Sequence, residues 1–247
     1  MSSPLEQLIS LSRELGREDR KLAILGEGNT SVRLSSETFL VKASGSSLAT
    51  MRAEDVTECR FGPLMELLDQ DEASDAQIAA ALVASQVVPN ARKPSTEAVF
   101  HAYLLGLTGI QWVAHTHPIA VNGILCSPRA QEFAGRRMFP DEIVCCGQKS
   151  VLIPYTDPGL QLAKAIRAAV EGKGIGTPRV ILLTNHGLIA PASSAGGALA
   201  ATMMAVKAAE IFNLAAALGG PIFLAPGDNQ RIESRNDEHY RRKQLGI

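Results

Sequence analysis

The sequence has few aromatic residues and no excess of charge of either sign. Phenylalanine, tryptophan and tyrosine make up 4% of 247 residues, which leaves few side chains that could stack on nucleic-acid bases. The 24 Lys and Arg residues nearly balance 25 Asp and Glu residues, so no global basic field draws nucleic acid or an anionic membrane. We therefore expect a small-molecule ligand, with any anionic group held by local donors, and neither nucleic acid nor a membrane as partner.

Cysteine is scarce, and long uninterrupted apolar runs are missing. The four cysteines show no CxxC spacing and too low a density for a disulfide scaffold. Charges interrupt the first 21 residues, whereas a signal peptide needs a continuous apolar stretch. The most apolar region, 195–220, contains Lys207 and Glu210 and is rich in alanine, which favours a packed helix over a membrane span. We expect a cytoplasmic chain.

The spacing of apolar residues and turn residues predicts one α/β domain over 1–247, with a polar tail over 220–247. Apolar residues at helical spacing predict helices over 4–16, 75–88, 159–170 and 195–218, and a further helix over 95–105. Short apolar runs bounded by turn residues predict two strands within 22–48 and single strands over 112–117 and 180–187.

Three histidines follow these predicted strands. His115 and His117 are two residues apart, so a strand points both rings to the same face, where they could share one metal ion. His186 ends a separate apolar run and could supply a third nitrogen, which leaves a fourth position for water or substrate. Packing or hydrogen bonding alone would also explain an HxH pair. The third histidine favours a metal site, with zinc preferred. His101 falls inside a predicted helix and His239 in the tail, so we expect neither to be recruited to the metal.

Glu97 has two interpretations that the residues alone leave open. A carboxylate close to a metal can act as a general base. A glutamate in the first turn of a helix also stabilises the helix dipole without any catalytic role.

Three small polar segments could bind an anion: residues 26–31, 43–47 and 93–96. Glycine lets backbone N–H groups approach an anion closely, and a helix N-terminus adds partial positive charge. The first segment has neither the GK[ST] of a Walker loop nor the GxGxxG of a dinucleotide-binding turn. Each segment taken alone is also typical of a tight turn.

Taken in order, the segments resemble the class II aldolase/adducin family, which includes L-fuculose-phosphate aldolase and L-ribulose-5-phosphate 4-epimerase. The matching segments are GEGNTSVR (26–33), VKASG (41–45), KPSTEAVFH (93–101), HTHP (115–118), PYTDPG (154–159) and TNHGLIA (184–190). The resemblance runs from about residue 5 to residue 220. Order, spacing and chemistry agree together, which makes it more specific than any single motif.

The resemblance implies a single-domain three-layer α/β/α fold with a predominantly antiparallel central sheet, assembled as a homotetramer with sites near subunit interfaces. It implies that Zn²⁺, one per subunit, is held by His115, His117 and His186, with Glu97 as the acid/base residue. It also implies that the substrate phosphate is held by Gly28, Asn29, Ser44, Gly45, Ser95 and Thr96. The expected reaction is cleavage of a small phosphorylated ketose or keto-sugar acid through a metal-stabilised enediolate.

Two departures from the family's pattern concern the choice of reaction. Fuculose-phosphate aldolase has a catalytic tyrosine, donated by a neighbouring subunit, where residues 137–142 read RMFPDE. Asp141 lies near the position of an acid/base aspartate in the epimerase branch; a helix-cap or turn role is the other interpretation. In addition, Gly26 stands where the aldolase branch often has threonine. Tyr240 in the tail could reach a site, as C-terminal tyrosines do in relatives.

Three alternatives to a sugar-phosphate aldolase stay open. A 4-epimerase or decarboxylase of the same family would use the same chemistry. An enzyme for an unphosphorylated hydroxy-keto acid would bind a carboxylate at the polar segments, since backbone and hydroxyl donors suit either anion. An adducin-like assembly protein would lose the metal ligands, but the three histidines and Glu97 are all present here, which favours an enzyme.

Overall fold

The computed structural model describes residues 2–172 and 177–245, apart from the side chains of residues 239, 241 and 245. The helices are α1 (Pro4–Leu15), α2 (Phe61–Asp69), α3 (Asp75–Ser85), α4 (Ala98–Gly106), α5 (Ile119–Leu125), α6 (Ala130–Gly135), α7 (Pro140–Cys146), α8 (Leu160–Glu171), α9 (Ala195–Ala217), α10 (Pro226–Glu233) and α11 (Asn236–Leu245). The strands are β1 (Asn29–Arg33), β2 (Thr38–Lys42), β3 (Val56–Arg60), β4 (Trp112–Thr116), β5 (Val151–Ile153), β6 (Ile181–Leu183) and β7 (Gly187–Ala192).

The seven strands form one sheet in the order β3-β2-β1-β4-β7-β6-β5. Every neighbouring pair is antiparallel except β5 and β6, which are parallel. The predominantly antiparallel sheet is therefore confirmed. The strand β4 lies at the centre of the sheet, between β1 and β7, and all five of its residues are buried.

Helices cover both faces of the sheet, because successive strand residues point to opposite sides. On β2, Leu40 belongs to the apolar layer that contains α1 and α9, whereas Phe39 and Val41 belong to the layer that contains α2, α4 and α8. The three-layer α/β/α arrangement is confirmed. These two apolar layers hold the central strands rigidly, and the candidate site is built on those strands.

The long apolar helix α9 packs on the sheet, as its alanine-rich sequence predicts. Its length and its mean hydropathy of 1.3 over the most apolar window fall within the range of a membrane span. In the fold, one face of α9, from Gly197 to Phe212, is buried against α5, α7, β4 and β7. The small alanine side chains allow the helix to lie close to these elements.

The structure corrects the prediction for residues 180–187. The predicted single strand is the short strand β6, which ends at Leu183, followed by a tight turn and then β7, which begins at Gly187. Asn185 takes a left-handed conformation in this turn, with a φ of 55°. His186 therefore lies in a turn between two antiparallel strands rather than at the end of one strand.

Sequence patterns also missed several short elements. The Pro/Gly-rich stretch between the predicted strands contains α5, α6, α7 and β5, and the polar tail contains α10 and α11. Helices of six or seven residues span fewer than two turns, too few for a periodic pattern to show. The helix predicted over 95–105 begins at Ala98, and Glu97 is its N-cap residue.

Candidate metal centre

Three imidazole rings converge at the end of the central strand pair. His115 lies on β4 and His117 directly follows this strand, and their Nε2 atoms are 3.0 Å apart. The His186 ring lies with its centre 5.0 Å from that of His115 and 4.9 Å from that of His117. One possible ligand atom from each ring lies within 4.8 Å of the other two. The structure thus brings together the three histidines that the sequence singles out.

Local hydrogen bonding directs the free nitrogen of His115 toward the other two rings. Its Nδ1 atom donates to the carbonyl oxygen of Leu188 on β7, at 3.0 Å. That bond fixes the proton on Nδ1 and leaves the Nε2 lone pair free, which is how metal-ligating histidines are usually oriented. Burial, followed by the neighbouring His186, lowers the pKa of His115 to about 3. Its lone pair is consequently available at neutral pH.

The other two rings are also held in the neutral state. Burial lowers the pKa of His117 to about 4, with the His115 and His186 rings adding to the effect. Burial also lowers the pKa of His186, against the opposing charge of Glu97. Imidazole donors of this kind suit zinc and other first-row divalent ions. Two nitrogens on a tetrahedral zinc lie ~3.4 Å apart, close to the 3.0 Å between His115 and His117.

Glu97 faces the three rings rather than its own helix. Its Oε2 atom is 3.5 Å from His115 Nε2, and its Oε1 atom is 3.6 Å from His186 Nε2. As the N-cap residue of α4 it makes no side-chain cap hydrogen bond. The side chain is 10% exposed, and its Oε1 atom has no hydrogen-bond partner among the described residues. A carboxylate oxygen that is buried and unpaired beside three imidazoles fits a site built for a divalent cation.

Two glycines allow the strands and loops of the site to approach each other. At Gly187, a Cβ atom would lie 2.6 Å from the carbonyl oxygen of Thr116, with the rings of His115 and His117 next to it. At Gly28, which has a φ of 66°, a Cβ atom would lie 2.5 Å from the carbonyl oxygen of His115. Gly28 thus lets its loop lie against β4. Its predicted part in admitting a phosphate stays a prediction.

The segments predicted to bind an anion lie side by side next to Glu97. The backbone N–H of Ser44 donates to the Lys93 carbonyl at 2.8 Å, and that of Ser95 donates to the Lys42 carbonyl at 3.2 Å. Ser44, Gly45 and Thr96 are exposed at this junction. Their hydroxyl and backbone groups lie at the surface of the site, where a substrate anion could reach them.

Lys42 is a residue of this region that the sequence analysis did not single out. It is 2% exposed, and its ammonium group donates to the carbonyl oxygens of Gly26, at 2.9 Å, and Ser46, at 2.5 Å. Burial lowers its pKa to about 8. The side chain joins two of the three polar segments and places a cation under them. The sequence did contain one signal for this residue, namely a lysine within VKASG at the end of a mostly apolar strand.

Asn29 connects the polar segments to Glu97. Its Nδ2 atom donates to Glu97 Oε2 at 2.6 Å and to Ser95 Oγ at 3.2 Å. Its Oδ1 atom is hydrogen-bonded to Nε2 of His101. In this arrangement the amide protons of Asn29 are directed at protein groups. His101 lies outside the histidine cluster, as expected, but its contact with Asn29 connects it to Glu97.

A cavity of about 430 Å³ opens beside His117. Its walls are mostly apolar and include Ile24 and Ile119, with Glu27 and Asn122 as polar groups. Asn122 also donates through Nδ2 to the backbone carbonyl of His186, at 2.9 Å, and so holds the turn that carries this histidine. The cavity gives a small organic molecule access to the face of His117.

Comparison with known proteins identifies the family. Residues 6–213 match the model of the class II aldolase and adducin N-terminal domain. The chain belongs to this family. The match contains every member of the histidine triad, Glu97 and all three polar segments, so the resemblance drawn from the motifs is confirmed.

Individual members of the class II aldolase/adducin family show the same fold. The N-terminal class II aldolase domain of a conserved protein from Thermoplasma acidophilum is 27% identical, with a TM-score of 0.70, over 86% of this chain and 95% of that one. A structure of L-fuculose 1-phosphate aldolase is 20% identical, with a TM-score of 0.70, over 94% of this chain and 96% of that one. At this identity the second likeness concerns the fold alone.

A curated relative is a much longer protein. The "uncharacterized oxidoreductase YuxG" of Bacillus subtilis (strain 168) is 29% identical over 193 residues. These residues make up 75% of this chain and 26% of YuxG, so the chain spans about a quarter of that relative's length.

Two residues considered for this family's chemistry lie on other elements. Asp141 is in the first turn of α7, which packs on α9, α10 and α11. The contacts described above between the triad, Glu97 and the polar segments do not involve Asp141. Tyr240 lies on α11 and is 67% exposed. Within this subunit, then, the structure places the triad, Glu97, Asn29 and Ser95 together, whereas Asp141 lies on α7.

Proposed function

We propose that this protein is a zinc-dependent aldolase that cleaves a small phosphorylated ketose or related keto-sugar acid. The observation that carries the proposal is the convergence of three neutral imidazoles beside the Glu97 carboxylate, whose Oε1 atom has no hydrogen-bond partner among the described residues. Membership of the class II aldolase/adducin family supports the same chemistry. We also propose that it acts in the cytoplasm as a homotetramer, as the family resemblance implies.

His115, His117 and His186 would hold the zinc ion, which leaves its remaining positions to substrate. The ion, when bound, supplies a Lewis acid that polarises the substrate carbonyl and stabilises negative charge beside it. The protein residues then have two tasks. They must hold the substrate in one orientation, and they must move a proton at the carbon next to the carbonyl.

Glu97 performs the proton transfer in this proposal. When the carbon–carbon bond breaks, the hydroxyl of the leaving portion gives its proton to water and that portion becomes an aldehyde, while the bonding electrons stay on the carbon next to the carbonyl. Glu97 Oε1, which takes up a proton from water, then delivers it to that carbon. In the direction of synthesis the same oxygen removes it. An acid/base group must lie within hydrogen-bonding reach of the atom it serves, and Oε1 has no hydrogen-bond partner among the described residues.

The polar segments fix the far end of the substrate. Ser44, Gly45, Ser95 and Thr96 offer hydroxyl and backbone donors beside the buried Lys42 ammonium group, an arrangement that suits a phosphate or a carboxylate. The aldehyde portion would occupy the apolar cavity beside His117. The site thus has two sides. The polar residues Ser44, Gly45, Ser95 and Thr96 form an anion wall, and the apolar cavity beside His117 accommodates a short carbon chain.

Proton exchange tests this function without knowledge of the aldehyde. Zinc-loaded protein is incubated with dihydroxyacetone phosphate in heavy water, and the hydroxymethyl signal is followed by NMR. We expect exchange by the wild type and none by His117→Ala. We expect Glu97→Gln to retain zinc but to exchange ~100- to 10,000-fold more slowly than the wild type. Zinc-loaded wild type that fails to exchange would show that this donor is wrong, and wild-type rates in Glu97→Gln would remove Glu97 from its role.

A second candidate, a sugar-phosphate 4-epimerase, is favoured by one observation. Residues 137–142 contain Asp141 and no tyrosine, whereas the aldolase reaction in the resembled branch uses a tyrosine from a neighbouring subunit. In this proposal Asp141, in the first turn of α7, acts on the site of an adjacent subunit, as the tyrosine does in the resembled branch. Incubation with L-ribulose 5-phosphate, analysed for the 4-epimer, separates the two reactions.

A further inference from the structure

Four polar side chains form a hydrogen-bonded chain that ends at Glu97. His101 lies one helical turn after Glu97 on α4, is fully buried, and has its Nδ1 atom 2.6 Å from Ser31 Oγ. Its Nε2 atom is hydrogen-bonded to Asn29 Oδ1. Asn29 Nδ2 in turn donates to Glu97 Oε2 at 2.6 Å. We refer to Ser31, His101 and Asn29 as the buried triplet.

The directions of these hydrogen bonds follow from the chemistry of the groups. An ionised Glu97 only accepts, so Asn29 presents its NH₂ group to Glu97 and its oxygen to His101. That oxygen requires a donor, so the proton of His101 is on Nε2. Burial lowers the pKa of His101 well below its ordinary value, so the ring is neutral and Nδ1 accepts from the Ser31 hydroxyl. Each member of the triplet therefore has one possible role.

Among the residues that the structure describes, the His101 ring has no hydrogen-bond partner other than Ser31 and Asn29. Phe100 stacks on the His101 ring, with ring centres 4.6 Å apart and planes at 22°. The Phe100 ring also makes an edge-to-face contact with the His115 ring, with ring centres 5.7 Å apart. The helix residues around it, from Ala98 to Leu105, are all buried and otherwise apolar apart from the Tyr103 hydroxyl. A phenylalanine or leucine would suit this helix face better for packing alone, since a buried polar group costs free energy unless it is fully paired.

We propose that His101 is a positioning residue, which fixes the amide of Asn29 so that its N–H group faces Glu97. This rests on the proposed function only in that Glu97 is taken as the acid/base residue. Without the Nε2–H donor, the Asn29 amide can rotate by half a turn and set its oxygen against the carboxylate oxygen. Two acceptors would then face each other, and Glu97 would lose its orientation toward the triad.

The tautomer of His101 can be measured without turnover. Full-length protein labelled with ¹⁵N-histidine is examined by long-range ¹H–¹⁵N NMR, and the His101 signals are assigned by their loss in His101→Gln. We expect a neutral ring with its proton on Nε2, protected from solvent exchange, at pH 7. A ring protonated on Nδ1, or an imidazolium, overturns the proposal whatever the enzyme's substrate.

The effect on the reaction is measured with the proton-exchange assay on dihydroxyacetone phosphate. We expect His101→Phe to lower the exchange rate at saturating substrate by ~10- to 100-fold, as loss of a residue behind an active group usually does, with KM and zinc affinity nearly unchanged. His101→Gln should recover much of the rate, because its amide N–H can still donate to Asn29. A His101→Phe protein that exchanges at the wild-type rate overturns the proposal.

Thr30→Val is the matched control. Thr30 lies between Asn29 and Ser31 on β1 but points to the opposite face, where its hydroxyl is 2.6 Å from Ser12 Oγ. This variant breaks a buried hydrogen bond on the same strand without touching the triplet, and we expect its exchange rate to match the wild type. Equal rate losses in Thr30→Val and His101→Phe would assign His101 a purely structural role. Absence of exchange in the wild type would count against the proposed function alone.

Discussion

Gly187 and His117 contact each other where β4 and β7 meet: a Cβ atom on Gly187 would lie 2.8 Å from His117 Cδ2. No carbon pair approaches so closely without displacement, and the second obstacle, the Thr116 carbonyl 2.6 Å away, is backbone. The position of the His117 ring is thus set by the absence of a side chain on the neighbouring strand.

Gly187→Ala should weaken zinc binding while the protein remains folded. The added methyl group must push His117 away from His115 and His186, and ligand misplacement of this kind costs ~10- to 100-fold in metal affinity. Competition with a chromogenic chelator measures the affinity, and circular dichroism verifies the fold. Gly62→Ala, where a Cβ atom meets nothing within 4 Å, is the control. Unchanged affinity in Gly187→Ala would show that His117 does not bind the ion.

His101 should make the metal-free protein less stable in acid. Its folded-state pKa lies well below 6.5 because of burial, so below about pH 6.5 the unfolded chain binds a proton that the folded chain does not. Stability from this group is therefore complete above that pH and falls as the pH drops, by about 1.4 kcal/mol per pH unit. Urea unfolding at pH 8, 6 and 5 should give a shallower pH dependence for His101→Gln than for the wild type. Parallel curves would contradict this assignment.

Mixed oligomers should show whether Asp141 serves a neighbouring site. If the active site combines Glu97 of one subunit with Asp141 of another, Glu97→Gln and Asp141→Ala are each inactive, but a mixture of the two contains some intact sites. We expect activity to return after the two variants are unfolded together and refolded, and light scattering to give about four times the 26.2 kDa subunit mass. A mixture as inactive as its components would place Asp141 outside the site.

A carboxylate at Ser44 should separate phosphorylated from unphosphorylated substrates. Ser44 is exposed, and its contacts do not include Glu97, so Ser44→Asp adds a negative charge to the anion wall and leaves the acid/base group in place. Repulsion should raise KM for phosphorylated substrates ~10-fold or more, since like charges at short range cost more than 1 kcal/mol. Ser44→Asn is the uncharged control. Equal losses with phosphorylated and unphosphorylated substrates would contradict the assignment of this wall to phosphate.

The parts of the site predicted from the sequence are those that depend on local geometry. The two-residue spacing of His115 and His117 places both rings on one face of a strand, and this holds in the structure. For His186 the structure brings the ring next to the other two, as the prediction requires, but its position in a turn was missed, although Asn185 and Gly187 are both typical turn residues. The helix predicted to begin at Ser95 begins at Ala98, and Glu97, two positions after Ser95, is its N-cap residue.

The contacts of His101 could not be predicted because they join distant parts of the chain. Its partners Asn29 and Ser31 are 72 and 70 residues away and lie on β1. Only packing of α4 against the sheet brings them together. One local signal was present, since Glu97 and His101 are four residues apart and so share a helix face. A single polar residue within an apolar helix was otherwise compatible with an unrelated packing role.

The three imidazoles lie on or next to the antiparallel strands β4 and β7, in the middle of the sheet. The polar segments lie instead in the connections around β1, β2 and the start of α4. Changes in these connections can therefore alter which molecule is bound without moving the histidines. Proteins with this fold can therefore share the same histidine cluster on this strand pair and still bind different substrates, because the surrounding connections differ.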